Sequence, residues 1–549
     1  MRFKFSTLPK EILAPLLWGS TGKVHLMRLA KDALGLAGRE NEKKALFLFK
    51  LGVDFLFAAW ESDPLDGYLA GQLVDLNKKH PLFEPQTAKL FTFVSRNWNR
   101  PENINYYNRL LERGHPEKIS SHLHDQMRKG PSLFWLQKYV EFAKQEQDFK
   151  GISEAFKRCP REMPAVILNM LKGRVHFLCR EFDKAEHAYG LAIKRHLLPE
   201  IRSILAETML RQGKRDQAIR LWGRFLHERP WRTNLILKMY DQAHGLDTKS
   251  ASLEGRVGVS LYTHNKANDL EHTLESLAKS KPGPDFIHIL NNGCTDHTAD
   301  VIEKWRERMG PDRVRRTDMP TNIGAPAARN WLMKLPDVQD SDWTVFMDDD
   351  VELPPGWLGR LGAAADTYPD AGVWGCKVND FSNLSIIQNV DLHMVPPLED
   401  SAMYRLTDQK PRFEVSNLHH QDMDFGQFNY LRPCVSVTGC CHLFRTKTLI
   451  NTDGFDLRFS PSQFDDLDFD LGMNLTGRHA VYQGHLEIQH RKKTGKSSER
   501  DLVQSGNAHG NFFKLQKKYS KRDVQKIKDA DFKRLEKDLL AKLDSIAGP

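Results

Sequence analysis

Up to about residue 130, apolar residues recur three and four positions apart: Leu13, Leu16 and Leu17, then Leu46, Phe47, Leu51, Phe55 and Leu56. That spacing predicts helices with one buried face. No polar constellation stands out, so residues 1–130 read as a structural or interaction domain. From 131 to 247 the helical pattern repeats. The windows Leu168–Pro199 and Ile201–Pro230 place Ala185 and Ala218 one period apart, each after a polar turn. Small and bulky residues accompany them, Gly173, Tyr189 and Ala192 in the first and Ala206, Trp222 and Pro230 in the second. Thr248–Gly255 is small and polar and reads as a linker. Beyond it the period changes. Val257, Val259 and Leu261 alternate as a strand ending in Thr263-His264-Asn265, and Leu270, Leu274 and Leu277 mark a helix. Phe286–Leu290 is a second strand, running into Asn291-Asn292-Gly293-Cys294-Thr295-Asp296 and a helix from Ala299 to about Met309. Val314–Thr317 is a short strand, a helix covers Ala327–Met333, and Thr344–Met347 is a buried strand that runs into Asp348-Asp349-Asp350. Strands alternating with helices predict an α/β domain with a mostly parallel sheet, whose ligands bind at the carboxyl ends of the strands. The two Asn-containing turns and the acidic triplet lie at such ends.

The repetitive helices resemble tetratricopeptide repeats, with small residues where paired helices cross closely. Such a surface binds a protein segment or serves as a rigid spacer. Length changes the picture little: 549 residues suit three or four domains. A hydrophobic content of 40% and a charged content of 28% are those of a soluble globular protein. The net charge of +9 suits an anionic ligand and by itself gives no reason to expect nucleic acid. Seven cysteines, scattered except for Cys440-Cys441, speak for a reducing compartment and against a disulfide framework or zinc ribbon. The N-terminus lacks the apolar core of a signal peptide, and the apolar window Ala45–Trp60, interrupted by Lys50 and Asp54, is too short to span a bilayer. The expectation is a cytoplasmic protein, with membrane contact at most peripheral, at the inner face.

Three adjacent carboxylates at a strand end repel one another, and a divalent cation or a set of hydrogen-bond donors relieves them. Strand alternation puts Asp348 and Asp350 on one side and Asp349 on the other, where it is expected to meet Arg329. A second acidic cluster, Asp465-Asp466-Leu467-Asp468, stands at the start of a predicted helix, where acids also favour the helix dipole. The segments VSLYTHNKANDL, HILNNGCTDHT, NIGAPAARN, FMDDDVELPPGWL, VTGCCHLFR and DGFDLRFSPSQFDDLDF occur in that order between residues 256 and 490. In this the chain resembles glycosyltransferase family 2, of the Rossmann-like GT-A fold.

The resemblance implies a nucleotide-diphosphate sugar donor and a divalent cation, Mn2+ or Mg2+. It places Thr263 and Asn265 on the nucleoside and Arg329, Asp348 and Asp349 near the donor. The family usually has an acid at the position of Asn291; the Asn amide oxygen still accepts from a base N–H but brings no charge. Asp350 is the implied metal ligand, with Asp348 and a late histidine, His490, as further ligands; His490 is followed by the basic stretch Arg491–Lys496 and a loop through Ser498 that would close over the donor. Asp466 is the implied base that deprotonates the acceptor in an inverting transfer, with Asp465 beside it in place of the usual Glu. Asp296 reads as a helix cap and Cys440-Cys441 as small apolar packing. His393, His419, His420, Asp422 and Asp424 fall in a less regular stretch read as a polar acceptor loop, with a metal site as the alternative. The Lys-rich tail, Phe512–Ile546, is a helix packed on the domain or laid on an anionic membrane surface.

The expected organisation is therefore a helical domain (1–130), tetratricopeptide-like repeats (131–247), a GT-A glycosyltransferase domain (254–511) and a basic C-terminal helix (512–549). The acceptor is a glycan, a lipid-linked saccharide or a protein, and the repeats offer a site for a protein partner. The competing reading is a tetratricopeptide-type scaffold whose transferase domain is degenerate, and Asn291 is the one feature that favours it.

Overall fold

The structure, a computed structural model, describes residues 3–194, 198–397, 410–491 and 502–546. It forms two compact units. One comprises Met1–Leu235 with the short segment Gln421–Gln427; the other comprises Ile236–His420 and Phe428–Pro549.

The described part of Met1–Leu235 is all-helical. Helices Ala165–Leu178, Phe182–Ile193, Glu200–Arg211 and Arg215–Glu228 pack in succession, each on the next. Small residues permit the close crossings. Ala185 and Ala218 are fully buried, and a Cβ on Gly173 would sit 2.4 Å from the Tyr189 ring. The unit also has a polar core that local patterns do not reveal. Arg229, 1% exposed, pairs with Asp54, Glu61 and Glu200, and Glu200 also pairs with Arg232. Asp54 and Glu61 lie on one distant helix, Glu42–Ser62, and Glu200 opens another, so each buried charge has an opposite one beside it.

The second unit is a three-layer α/β structure. Its strands are β1 (Val257–Thr263), β2 (Phe286–Asn292), β3 (Val314–Met319), β4 (Trp343–Met347), β5 (Val351–Glu352), β6 (Val373–Asp380), β7 (Ile387–Asn389), β8 (Met394–Val395), β9 (Glu414–Val415), β10 (Leu431–Cys434), β11 (Cys441–Arg445) and β12 (Ala480–His490). Among the described residues ten of them form one sheet, with the path β10-β12-β6-β11-β4-β1-β2-β3, β5 on β12 and β7 on β6. The run β4-β1-β2-β3 is parallel, as is β6-β12, while β11 enters antiparallel between β4 and β6. Strand β1 is buried on both faces, which is why its alternate positions are small residues, Gly258 and Ser260, rather than exposed polar ones. The core gathers Val259, Leu261, Ile287, Ile289 and Val345 of the sheet against Leu270, Leu274, Trp305 and Trp357 of the flanking helices.

The C-terminal helices, Leu502–Lys518 and Lys521–Ile546, bury Leu515, Tyr519, Val524 and Ile527 in a cluster with Phe459, Leu467 and Leu471. The tail is thus packed on the α/β unit. No helix among the described residues is long and apolar enough to cross a membrane.

Candidate active site

The acidic triplet follows β4 directly, at the carboxyl end of the parallel strands. Asp350 is 2% exposed. Lys266 Nζ lies 2.6 Å from its Oδ2 and 3.2 Å from Asp349 Oδ1. His490 Nε2 stands 3.0 Å from Asp350 Oδ1 and 3.9 Å from Asp348 Oδ2. Burial alone would raise Asp350, but His490 and Lys266 outweigh it and hold this carboxyl well below the ordinary range. Asp349 goes the other way. Burial pushes it up to about 6, with Lys266 pulling down and the Asp350 charge pushing up. Burial also works against the His490 imidazolium, yet Cys440 and Asp350 hold it well above its ordinary value. The expected meeting of Asp349 with Arg329 does not occur. Strand β4 ends at Met347, the chain turns through Asp349 and Asp350, and period-two alternation does not carry through a turn.

Arg329 meets Asp348 and Asp465 instead. It lies on helix Ala325–Met333, whose first N–H, on Ala325, donates to Pro461 O at 2.7 Å. That bond ties the helix to the loop before Asp465. Arg329 Nη1 pairs with Asp465 Oδ2, and Nη2 lies 3.5 Å from Asp348 Oδ1. The guanidinium also lies over the rings of Tyr262 and Phe455, 5.5 and 5.3 Å from their centroids. Burial raises Asp465 to about 6 against the pull of Arg329. The Arg329 charge itself, which burial disfavours, is held well above its ordinary value by Asp465 first and then by Tyr262, Asp348 and Asp466. Asp466 is half-buried. Its Oδ2 accepts from Gly439 N at 2.7 Å, and its Oδ1 from the N–H of Leu467 at 2.8 Å. Gly439 is required for this approach, since a Cβ there would stand 2.9 Å from Arg329 Nη2 and 3.1 Å from Asp466 Oδ2. Both acids open helix Asp465–Leu475, entered through two non-glycine residues in left-handed conformation, Gln463 and Phe464.

At the ends of β1 and β2, Thr263 is buried and Asn265 adopts a φ of 54°. Asn265 Oδ1 accepts from Thr295 N at 2.7 Å, joining the two turns. Asn291 is fully engaged. Its Oδ1 accepts from Cys294 N at 3.2 Å and its Nδ2 donates to Asp318 Oδ1 at 2.7 Å. The β2–β3 register Asn291↔Asp318 therefore places a carboxylate beside the position that lacks one. Asp296, one residue before the N-cap His297, accepts from Thr298 N at the start of one helix and from Ala267 N at the start of another. His393 is buried between Asp391 and Asp531, and His419 faces Gln388 O, so these two histidines serve internal contacts. Residues 398–409 of that stretch, and the basic residues and loop 492–501 after Arg491, lie outside the described residues.

Residues 259–449 match the model of the glycosyl transferase family 2 domain. The chain carries a family 2 glycosyltransferase domain. An N-acetylglucosaminyl-diphospho-decaprenol L-rhamnosyltransferase of Mycobacterium tuberculosis is 24% identical over 254 residues, 44% of this chain and 78% of the relative. Among solved structures, a mannosyltransferase of Pyrobaculum calidifontis in complex with GDP-Man and Mn2+ is 17% identical, covering 57% of this chain and 85% of its own, with a TM-score of 0.34. TarS of S. aureus is 19% identical, covering 42% of this chain and 36% of its own, with a TM-score of 0.28.

The domain's largely parallel α/β sheet agrees with the expected GT-A fold, and its two acidic clusters, more than a hundred residues apart, are joined through one arginine. Four of its site residues escape the sequence reading. Lys266 follows Asn265, and only the fold sets its ammonium on the acidic loop. Gln388 accepts from His490 Nδ1 at 2.8 Å, while its own amide nitrogen faces Asp380 Oδ2 at 3.1 Å. Asp318 and Cys440 need the strand registers. Among the described residues, Asp348, Cys440 and His490 are the one group of three such side chains whose ligand atoms lie within 4.8 Å of one another. Asp350 Oδ1, also buried, faces the same group. A buried carboxylate oxygen facing an imidazole nitrogen, with a second carboxylate close by, fits a divalent cation that takes the place of the imidazole proton.

Proposed function

We propose that this domain transfers a sugar, with inversion, from a nucleotide-diphosphate sugar to an acceptor hydroxyl, with a bound Mn2+ or Mg2+. The observation that carries the proposal is the joining of two carboxylate centres by Arg329, one fit for a cation and one fit for a base. Asp350, Asp348 and His490 would hold the cation, which neutralises charge on the departing nucleoside diphosphate when bound. Thr263 and Asn265 line the nucleoside end, and Asn291 there holds Asp318 in place as the acid that faces the base. Asp349 acts on the donor side indirectly, by steadying Lys266. Asp466 accepts the acceptor's proton. The Gly439 and Leu467 N–H groups fix its carboxylate, and its partial exposure leaves it open to a hydroxyl. Arg329 keeps Asp465 from repelling Asp348 and sets the distance between the two centres.

The scaffold alternative rests on Asn291, and the carboxylate of Asp318 on the neighbouring strand weighs against it. The rhamnosyltransferase relative, by its name, acts on a diphospho-lipid saccharide, so a saccharide on a lipid carrier is the acceptor class we put first. A hydrolysis screen across nucleotide sugars tests the reading, because slow donor hydrolysis needs no acceptor. One donor should be cleaved with Mn2+ or Mg2+ and spared in Asp350→Asn. Cleavage of no donor by the wild-type protein with either ion would overturn the proposal.

A further inference from the structure

Cys440 is the one side chain of the metal-facing group for which sugar transfer has no use. Its position is fixed by strand pairing: Cys441 stands opposite Met347 in the β4–β11 ladder, so Cys440 stands opposite Asp348. Asp348 N donates to Cys440 O at 3.2 Å. Cys440 is 6% exposed, and the Thr438 hydroxyl lies 3.5 Å from its sulfur. Its sulfur, a carboxylate oxygen of Asp348 and a ring nitrogen of His490 fall within 4.8 Å of one another. Asp350 Oδ1, buried and 3.0 Å from His490 Nε2, adds a fourth ligand atom. Gln388 holds His490 Nδ1 as a hydrogen-bond donor, which leaves Nε2 as the ligating nitrogen.

Sulfur and imidazole donors select differently from carboxylates. Carboxylate oxygens suit Mg2+ and Mn2+, while a thiolate with an imidazole suits Zn2+ and Co2+. The ligands of a tetrahedral zinc centre stand about 3.3–3.8 Å apart. The separations of His490 Nε2 from the two carboxylates, 3.0 and 3.9 Å, bracket that spacing. We infer that Cys440, with His490, Asp348 and Asp350, makes this centre a mixed sulfur, nitrogen and oxygen site that takes Zn2+ through the Cys440 sulfur. The inference rests on the reading of the centre as a cation site. On binding, the Cys440 thiol proton and the Nε2 proton of His490 go to solvent as the sulfur–metal and nitrogen–metal bonds form. Hard ions engage the carboxylates and imidazole without the sulfur. A four-donor zinc centre is closed, so Zn2+ competes with Mn2+ rather than replacing it in transfer.

The test uses the full-length protein with Co2+ as the spectroscopic probe. Bound Co2+ should give a near-ultraviolet sulfur-to-metal charge-transfer band in the wild type and in Cys441→Ser, and no such band in Cys440→Ser. Zn2+ affinity should fall by about tenfold or more in Cys440→Ser. Mn2+ affinity, read by electron paramagnetic resonance, should move by less than about threefold, because a hard ion does not use the sulfur. Bound Co2+ without the band in the wild type, or a band that survives in Cys440→Ser, overturns the inference. Mn2+ binding without the band removes the role of Cys440 alone. Failure of every divalent ion to bind removes the cation reading as well.

Discussion

Replacing Arg329 by Met removes the charge that joins the two acidic centres while keeping much of the side-chain volume. The two partners are nearly sealed from water, with side-chain exposures of 6% for Arg329 and 4% for Asp465. With Arg329 present, the folded protein holds Asp465 near 6, against 3.8 for a free aspartate. A folded value above the unfolded one contributes stability below about pH 4 that is lost as the pH rises through about 6. At about pH 7.5 the wild type therefore carries a cost of about 3 kcal/mol at this residue, 2.2 pH units at about 1.4 kcal/mol each. Without Arg329, Asp465 protonates outright, and the ceiling on its cost becomes about 5 kcal/mol. The difference, about 2 kcal/mol, adds to about 1 kcal/mol for the lost ring contacts of the guanidinium. Arg329→Met should thus destabilise by about 3 kcal/mol near neutral pH and by only about 1 kcal/mol at about pH 5, where Asp465 is protonated in both proteins. The double variant Arg329→Met/Asp465→Asn should recover about 2 kcal/mol at the higher pH. Urea unfolding midpoints at the two pH values measure all three numbers. A penalty that is the same at both, or no recovery in the double variant, would refute the assignment of this pair.

Three further outcomes follow from the same geometry. Asp466→Asn should lower the rate of transfer about a thousandfold while the donor KM stays within about threefold, since a base acts on the acceptor side; steady-state kinetics that show donor binding lost with the rate would contradict the base role. Gly439→Ala should lower kcat about tenfold to a hundredfold, because the added methyl displaces Arg329 or Asp466, and an unchanged kcat would mean that the approach of Asp466 to Gly439 does not matter to the chemistry. Gln388→Leu should weaken Mn2+ binding about tenfold to a hundredfold by freeing the His490 ring, to be checked by calorimetry; an unchanged affinity would take His490 off the metal.

The strands that build the site were readable because each announces itself locally. Val257, Val259 and Leu261 alternate, Phe286–Leu290 is a buried run, and both end in polar turns. The acidic residues were readable for the same reason, as clusters at the ends of such elements. What stayed hidden is what depends on register between distant segments. The β2–β3 pairing sets Asp318 beside Asn291, and the β4–β11 pairing sets Cys440 opposite Asp348. No local signal carries either. Lys266 stands in the same segment as Thr263 and Asn265, and the acidic loop needs a cation close by, yet only the fold brings its ammonium there. Asp349 does not follow the alternating pattern because strand β4 ends two residues before it, at Met347. In the helical unit, the buried pairing of Arg229 with Asp54, Glu61 and Glu200 was invisible to periodicity, which sees apolar stripes and not ion pairs formed across helices.

In the proposed function the Asp348–Asp350 loop and His490 bind a nucleoside diphosphate through a divalent cation. Calorimetric titration of uridine, guanosine and thymidine diphosphates into the full-length protein, with and without Mn2+, addresses it directly. At least one should bind about tenfold or more tightly with Mn2+, and Asp350→Asn should abolish this gain. Equal affinity with and without the ion for all three, or a gain that persists in Asp350→Asn, would contradict it.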